Sequence, residues 1–353
     1  MNQREDLTPK QRIERYLNGE IVDRLPCSLM MTETAAPYLG YKVNEYFFDA
    51  EKIAEVEAYK VHHLSFESAG VSVTLRGIGE AMGSEISYPS DRAGSVKVPV
   101  LQDYKDFDRL PYINPSKDGR LPIVMDAVAR TIDKVGDLVD VGTSVPGPFT
   151  AAHAIRGTNQ LIIDLIRRPE ELDQLLKFVV ENTLIFVKAM YEKNGVSCSI
   201  ADPMCSNAII RPSMFEERVF PHLKNLVDGI YEITGQKPSL HICGKTKQIW
   251  NALRKLNIAS FSIDNVEDLF EAKIELGDQF LLIGNVDPVD IIHFGERKDV
   301  LAEAKNCIDK CIDNPSGFFL SSGCDIPSHT KIENILAMSE ASKLYSQNCR
   351  LGM

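Results

Sequence analysis

Nowhere does the 353-residue sequence reach the roughly 18 consecutive apolar residues that a membrane-spanning helix needs. Residues 1–20 are polar and charged and lack the apolar stretch of a secretory signal. No Lys/Arg run or basic stripe interrupts a formal net charge of −11, which makes nucleic acid and anionic membranes poor partners. Low-complexity tracts and residue-level repeats are missing as well. These absences leave a cytoplasmic globular protein as the expectation. With 44% hydrophobic and 25% charged residues, it has enough apolar surface to bury a large core.

A disulfide framework is equally unexpected. The chain has eight cysteines, and without a secretory signal each is a buried small hydrophobe, a catalytic thiol or a metal ligand. Cys307 and Cys311 lie four apart in a helical pattern, share a helix face and read as packing residues. Cys198 falls in an apolar run and Cys349 in a polar tail, whereas Cys27 and Cys205 lie near candidate strand ends and stay undecided.

What the chain does contain is one repeated unit: a short β-branched run, a polar or Gly/Pro turn, then an amphipathic helical pattern. The candidate strands are 25–31, 67–74, 138–145, 197–202, 238–243, 259–264, 280–286 and 317–321. Several are nearly continuous apolar runs, as in parallel strands covered on both faces. Residues 169–193 open on Pro-Glu-Glu, a favourable helix start, and 212–234 and 296–314 follow the same logic. Eight alternations in one chain predict an α/β fold, a single (β/α)8 TIM barrel spanning 1–353, rather than a doubly wound sheet. The first 20 residues read as a helix plugging or flanking the barrel bottom. Residues 76–130 are too long for one crossover and carry Pro99, Pro111, Pro115 and Pro122, which predicts a strand excursion near 85–100.

In such a barrel the chemistry gathers where the strands end. Those ends read Asp202-Pro203, His241-Ile-Cys243-Gly244, Asp264-Asn265, Asn285-Val-Asp287-Pro288 and Gly323-Cys324-Asp325. Residues i and i+2 of a strand project to the same side, so His241 and Cys243 can meet one metal ion, and Gly244 lets the backbone turn away. Cys324, at the end of the eighth candidate strand, reaches the fifth only across the mouth. One imidazole and two thiolates make a three-ligand open zinc site, the fourth position being left for water or substrate. A lone His-x-Cys is more often a packed core pair; the second thiol at an independent strand terminus brings the metal reading level with it.

These segments resemble the uroporphyrinogen decarboxylase superfamily. The resemblance rests on Asp202-Pro203 with Pro212-Ser-Met-Phe-Glu-Glu, His241-Ile-Cys-Gly244, Gly284-Asn-Val-Asp-Pro288 and Gly323-Cys324, together with Gly147-Pro-Phe-Thr150 and Glu80-Ala-Met-Gly83. It runs from about residue 8 to 345 and implies a TIM barrel. The superfamily contains decarboxylases and a methyltransferase branch that works with corrinoid proteins. A decarboxylase of this kind carries arginines after its first strand, where this chain has Met30-Met31-Thr32-Glu33-Thr34-Ala35-Ala36. A polyanionic porphyrinogen needs cations there, and Glu33 repels it. Where the decarboxylases place an essential aspartate ahead of the Glu80 segment, this chain has Thr74.

The triad instead resembles the zinc site of methylcobamide:coenzyme M methyltransferases. That resemblance implies Zn2+ on His241, Cys243 and Cys324, and a corrinoid (methylcobalamin) supplied by a corrinoid-carrying partner protein. A small-molecule methyl donor or thiol acceptor completes the reaction. Asp202, Asn285, Asp287 and Glu33 form the candidate substrate-binding set, with helix and turn capping as the alternative role of the first three. Asp290-Ile-Ile-His293-Phe-Gly295 has the wrong spacing for a corrinoid-binding signature and is coincidental. His62 and His63 lie in a helical pattern and read as structural. Two other readings stay open: a uroporphyrinogen-type decarboxylase, and a zinc-stabilised barrel that only docks a corrinoid protein.

Overall fold

The computed structural model describes residues 7–352. Its nine strands are β1 (Ser68–Ser72), β2 (Glu85–Ser87), β3 (Ser95–Val98), β4 (Asp140–Pro146), β5 (Ser197–Ala201), β6 (Ser239–His241), β7 (Ser260–Ser262), β8 (Leu281–Val286) and β9 (Phe318–Ser322). Seven of them form one parallel sheet in the order β1-β4-β5-β6-β7-β8-β9, curled as in a TIM barrel. Every residue of β7 and β9 is buried, as expected for strands covered on both faces. The remaining pair, β2 and β3, is an antiparallel hairpin in the excursion predicted near 85–100.

The eighth expected strand, 25–31, needs correction. It makes a single parallel bridge, Cys27 with Leu320 of β9. Pro26 has no N–H to give a ladder, and side chains take the neighbouring backbone groups. Cys27 N–H donates to Glu67 Oε2 (3.2 Å), Met30 N–H donates to Ser322 Oγ (3.2 Å), and the Ser28 carbonyl accepts from Ser321 Oγ. On the β1 side, a buried carboxylate therefore stands in for the missing ladder. Glu67, 1% exposed, takes the Arg24 guanidinium and Arg12 Nη1 (3.1 Å).

The helix Pro9–Leu17 starts on a Thr8/Gln11 capping box with Pro9 in its first turn. It lies across the strand starts. Tyr16 Oη accepts from Phe318 N–H at the head of β9 (3.0 Å), and Lys10 N–H donates to the Leu138 carbonyl just before β4 (3.0 Å). The expectation of a helix at the barrel bottom therefore holds. The helix Pro169–Asn194 ends on Gly195 in the left-handed region (φ 67°). The segment 212–234 is not one helix: a π turn at Phe215–Val219 precedes Phe220–Thr234, because Pro221 removes an N–H from the regular ladder.

Replacing Glu67 with Ala leaves two buried guanidiniums without their shared carboxylate. We expect urea unfolding to show a loss of about 3–5 kcal/mol, and less for Glu67→Gln. A loss below about 1 kcal/mol rejects the closing role given to this residue.

Candidate metal centre

The curl carries the ends of β6 and β9, three strands apart in the sheet, to one point. His241 is the last residue of β6; Cys243 and Cys324 each lie two residues beyond a ladder's end, not on the strand itself. His241 Nε2 sits 3.1 Å from Cys243 Sγ, and Cys243 Sγ sits 3.6 Å from Cys324 Sγ. All three ligand atoms fall within 4.8 Å of one another, and all three residues are partly buried. Tetrahedral zinc with Zn–N near 2.0 Å and Zn–S near 2.3 Å needs ligand atoms about 3.5–3.8 Å apart, so the set is the right size for the ion. Among the described residues no other His, Cys, Asp or Glu joins the cluster.

Two glycines make the convergence possible. Gly244 takes φ 75°, and a Cβ there would fall 2.7 Å from Ser206 Oγ. At Gly323 a Cβ would fall 2.4 Å from the Asn265 backbone nitrogen, so glycine lets the end of β9 close against the loop after β7.

The residues behind the ligands set their orientation. Ser262 Oγ lies 3.0 Å from His241 Nδ1, so Nδ1–H can donate there and leave the Nε2 lone pair facing the thiols. Asp264 accepts from Gly244 N–H (2.7 Å) and Val266 N–H (3.0 Å), tying the ligand loop to the end of β7. Ser262 does not stand out in the sequence, and Asp264 is marked there only as one of the polar strand-end residues, without a role. Both lie on a strand terminus beside β6, which is the signal that could have found them.

Charge is concentrated here. The hydrogen bond with Cys324 raises the Cys243 thiol, and burial adds to it, while the same bond, aided by His241, pulls Cys324 down to about 4. Burial lowers His241, but Cys324, Asp264 and Asp325 together outweigh it and raise the imidazole. Burial, then Glu33, then Cys324 push Asp325 up to about 7. One thiol thus ionises readily and the second resists in a crowd of negative groups. A divalent cation relieves that conflict.

The expected substrate residues do not gather with the triad. Asp202, wholly buried, caps the helix Pro148–Arg156: its Oδ1 accepts from Thr150 N–H (2.9 Å) and Thr150 Oγ1 (2.6 Å), and its Oδ2 from Phe149 N–H (3.3 Å). A Cβ on Gly147 would meet Asp202 Oδ2 at 2.2 Å, which explains that glycine. Asn285 donates to the carbonyls of Asp264 (3.1 Å) and Glu267 (2.9 Å). Asp287 caps the turn Pro288–His293 and accepts from Asn265 Nδ2 (2.7 Å). Glu33 lies at the rim, accepting from Thr32 Oγ1 (2.7 Å), which also donates to Asp325 (3.2 Å). Of the other cysteines, Cys27, Cys198, Cys205, Cys307, Cys311 and Cys349 are all buried. Cys349, expected in a polar tail, bridges Val22. His293, in the coincidental motif, bonds Thr330 Oγ1 (2.7 Å), and in the helix Ala50–His63 the His63 ring packs against Tyr59 and the His62 ring against His63.

A TIM-like barrel with two thiols and an imidazole converging at its mouth defines a class. Residues 8–345 match the family model for uroporphyrinogen decarboxylase (URO-D), and the chain belongs to that family. Within it, the chain is 28% identical over 350 residues to methylcobamide:CoM methyltransferase MtbA of Methanosarcina acetivorans, covering 96% of this chain and 99% of that protein. It is 27% identical to methylcobamide:CoM methyltransferase MtaA of Methanosarcina barkeri, over 96% of this chain and 99% of that one. A solved methyltransferase from Methanosarcina mazei superposes with a TM-score of 0.84 at 25% identity, over 96% of this chain and 98% of that chain.

Cys324→Ser should abolish stoichiometric zinc retention. Ser262→Ala should weaken zinc affinity about 10–100-fold with the unfolding midpoint unchanged. Competition with a chromophoric chelator measures both. Wild-type affinity in Ser262→Ala removes the orienting role given to Ser262.

Proposed function

We propose that this protein is a corrinoid-dependent methyltransferase. In this reading it holds zinc through His241, Cys243 and Cys324, and a methyl group passes from a corrinoid on a partner protein to a small thiol. The observation that carries the reading is the triad itself: three converging donors, the number that in a zinc site would leave a fourth position for a substrate atom. Full-length similarity to methylcobamide:CoM methyltransferases supports it. Zinc, when bound, lowers the pKa of a substrate thiol and keeps it nucleophilic near neutral pH.

The chain's own residues do the positioning. Ser262 fixes the His241 ring, Asp264 holds the loop carrying Cys243, and Gly323 allows Cys324 to approach. Two thiolates offset the charge of a divalent cation, so the substrate sulfur retains its electron density. The corrinoid partner would supply the methyl group and keep the electron pair of the bond it gives up, the substrate sulfur would take the carbon, and the thiol proton would go to solvent. Of the expected substrate residues, Glu33 lies on the rim where a substrate enters. Asp202, Asn285 and Asp287 serve the site by holding its loops and helix starts.

A decarboxylase acting on a polyanionic porphyrinogen is less well supported. The 30–36 segment has no cation, and Thr74, where the carboxylate belongs, takes Arg120 Nη2 on its hydroxyl (3.3 Å). A purely structural zinc is disfavoured because it takes four protein ligands.

Purified protein should carry roughly one zinc per chain and demethylate methylcobalamin when given thiols from a panel, with Cys324→Ser inactive. Absence of zinc together with no methylated thiol rejects the proposal. Release of CO2 from uroporphyrinogen turns it toward the decarboxylases.

A further inference from the structure

A cavity of about 500 Å³ opens on the flank of the barrel, away from the metal centre, where β3 meets the helices Pro148–Arg156 and Thr158–Arg167. Its volume suits a small molecule. Three cations, Lys97, Arg156 and Arg168, stand on its wall, in a chain whose net charge is −11. The one acid on the wall is Asp103, and it is already engaged. Its Oδ1 accepts from Lys105 N–H (3.1 Å) and its Oδ2 pairs with Lys105 Nζ (3.2 Å). Those bonds, with a smaller pull from Arg168, hold the carboxyl below its usual range. Lys97 pairs with Glu85 (3.3 Å), but both side chains are largely exposed and such a pair contributes little.

Three sets of donors converge there without acceptors of their own. Arg156 is 3% exposed, and one edge of its guanidinium is fixed. Its Nε donates to Asp164 Oδ2 (2.7 Å), and its Nη1 to the carbonyls of Leu101 (3.2 Å) and Gln102 (2.6 Å). The remaining nitrogen, Nη2, has no acceptor among the described residues. Arg168 is exposed, and its guanidinium makes no ion pair among the described residues. Both arginines lie over the ring of Tyr104, Arg156 at 4.7 Å and Arg168 at 5.9 Å, which holds them near one another without neutralising either. The third set is backbone. The ten-residue helix Thr158–Arg167 starts on Gly157 with no side-chain cap, so its first N–H groups have no side-chain acceptor. Gln160, in its first turn, lines the cavity. A Cβ on Gly157 would lie 3.4 Å from Pro99, another wall residue, so the positive end of the helix faces the space.

We propose that this cavity binds a phosphate monoester of a small hydroxylated molecule, its phosphoryl group held by Arg156, Arg168 and the start of the helix Thr158–Arg167. A helix start offers a phosphoryl group N–H donors and a favourable field together, and guanidinium edges match its oxygens in pairs. The space is larger than a phosphate alone fills. Gln102 and Gln160 add amides on the wall that can both donate to and accept from hydroxyls. The occupant is not a reactant at the triad. Arg156 is the last residue of the nine-residue helix whose first turn Asp202 caps on the mouth side, about 12 Å away along the axis. The inference therefore stands independently of the methyl-transfer reading.

Isothermal titration of the full-length protein with glucose 6-phosphate, inorganic phosphate and glucose tests it. Glucose 6-phosphate should bind with a single-site isotherm, inorganic phosphate should compete with it more weakly, and glucose should not bind. Arg168→Gln should weaken glucose 6-phosphate binding by about tenfold or more, and Arg168→Lys should recover part of that loss. Gln160→Glu, which sets a carboxylate at the helix start, should remove binding. Both side chains are exposed, so without ligand these variants should melt with the wild type. Arg76→Gln, which removes a cation of the mouth four residues beyond the end of β1, should bind the ester as the wild type does. Failure of both phosphate probes to bind at millimolar concentrations, equal binding of glucose, or wild-type affinity in Arg168→Gln overturns the proposal. So does loss of binding in Arg76→Gln, which places the anion at the mouth instead.

Discussion

The buried Glu67 carboxylate is the constraint on which the architecture depends. It sits where a regular barrel has a continuous ladder, and it accepts from two guanidiniums and from the Cys27 N–H. Three segments distant in sequence are joined through one side chain: the N-terminal helix by Arg12, the segment after it by Arg24 and Cys27, and β1 by its own position. A carboxylate in that place is tolerable only because both cations and a backbone donor offset its desolvation. The closure it provides keeps the seven-stranded sheet curled, and the curl lets β6 and β9 share a metal site.

At the opposite end the balance of charge is reversed. Two thiols, Asp264 and Asp325 crowd a single imidazole, Glu33 acts on Asp325 in turn, and the hydrogen bond between the two sulfurs makes them act as one unit. Such a cluster is ill-suited to stand alone in a partly buried mouth and well suited to a cation that keeps one position open. The same negative field acts on whatever enters, admitting a neutral or thiol end more readily than an acid end.

Much of this was legible from residue order. Strand–helix alternation predicted the fold, and the spacing of His241 and Cys243 at a strand end, with Cys324 at another, predicted the triad. Less legible were the features that depend on where side chains go after folding. Nothing in 25–31 announces that Pro26 and the Glu67 carboxylate replace its ladder, since that requires knowing which residue stands opposite. Asp202 looked like a substrate group because carboxylates at strand ends look alike; the N–H groups it caps belong to the helix Pro148–Arg156, whose approach is not written locally, whereas Asp287 caps Val289 and Asp290 in its own turn. Ser262 was silent for the same reason, being one serine among many until the sheet register places it beside His241.

The bridge between Val22 and Cys349 pins the segment after the N-terminal helix to the last described residues beneath the barrel, where Leu351 also approaches Gly317 at the head of β9. The mouth faces the other way. A tether, a surface anchor or a fused second domain attached at either terminus would therefore hang from the floor of the barrel and leave the entrance unobstructed to a large visiting protein.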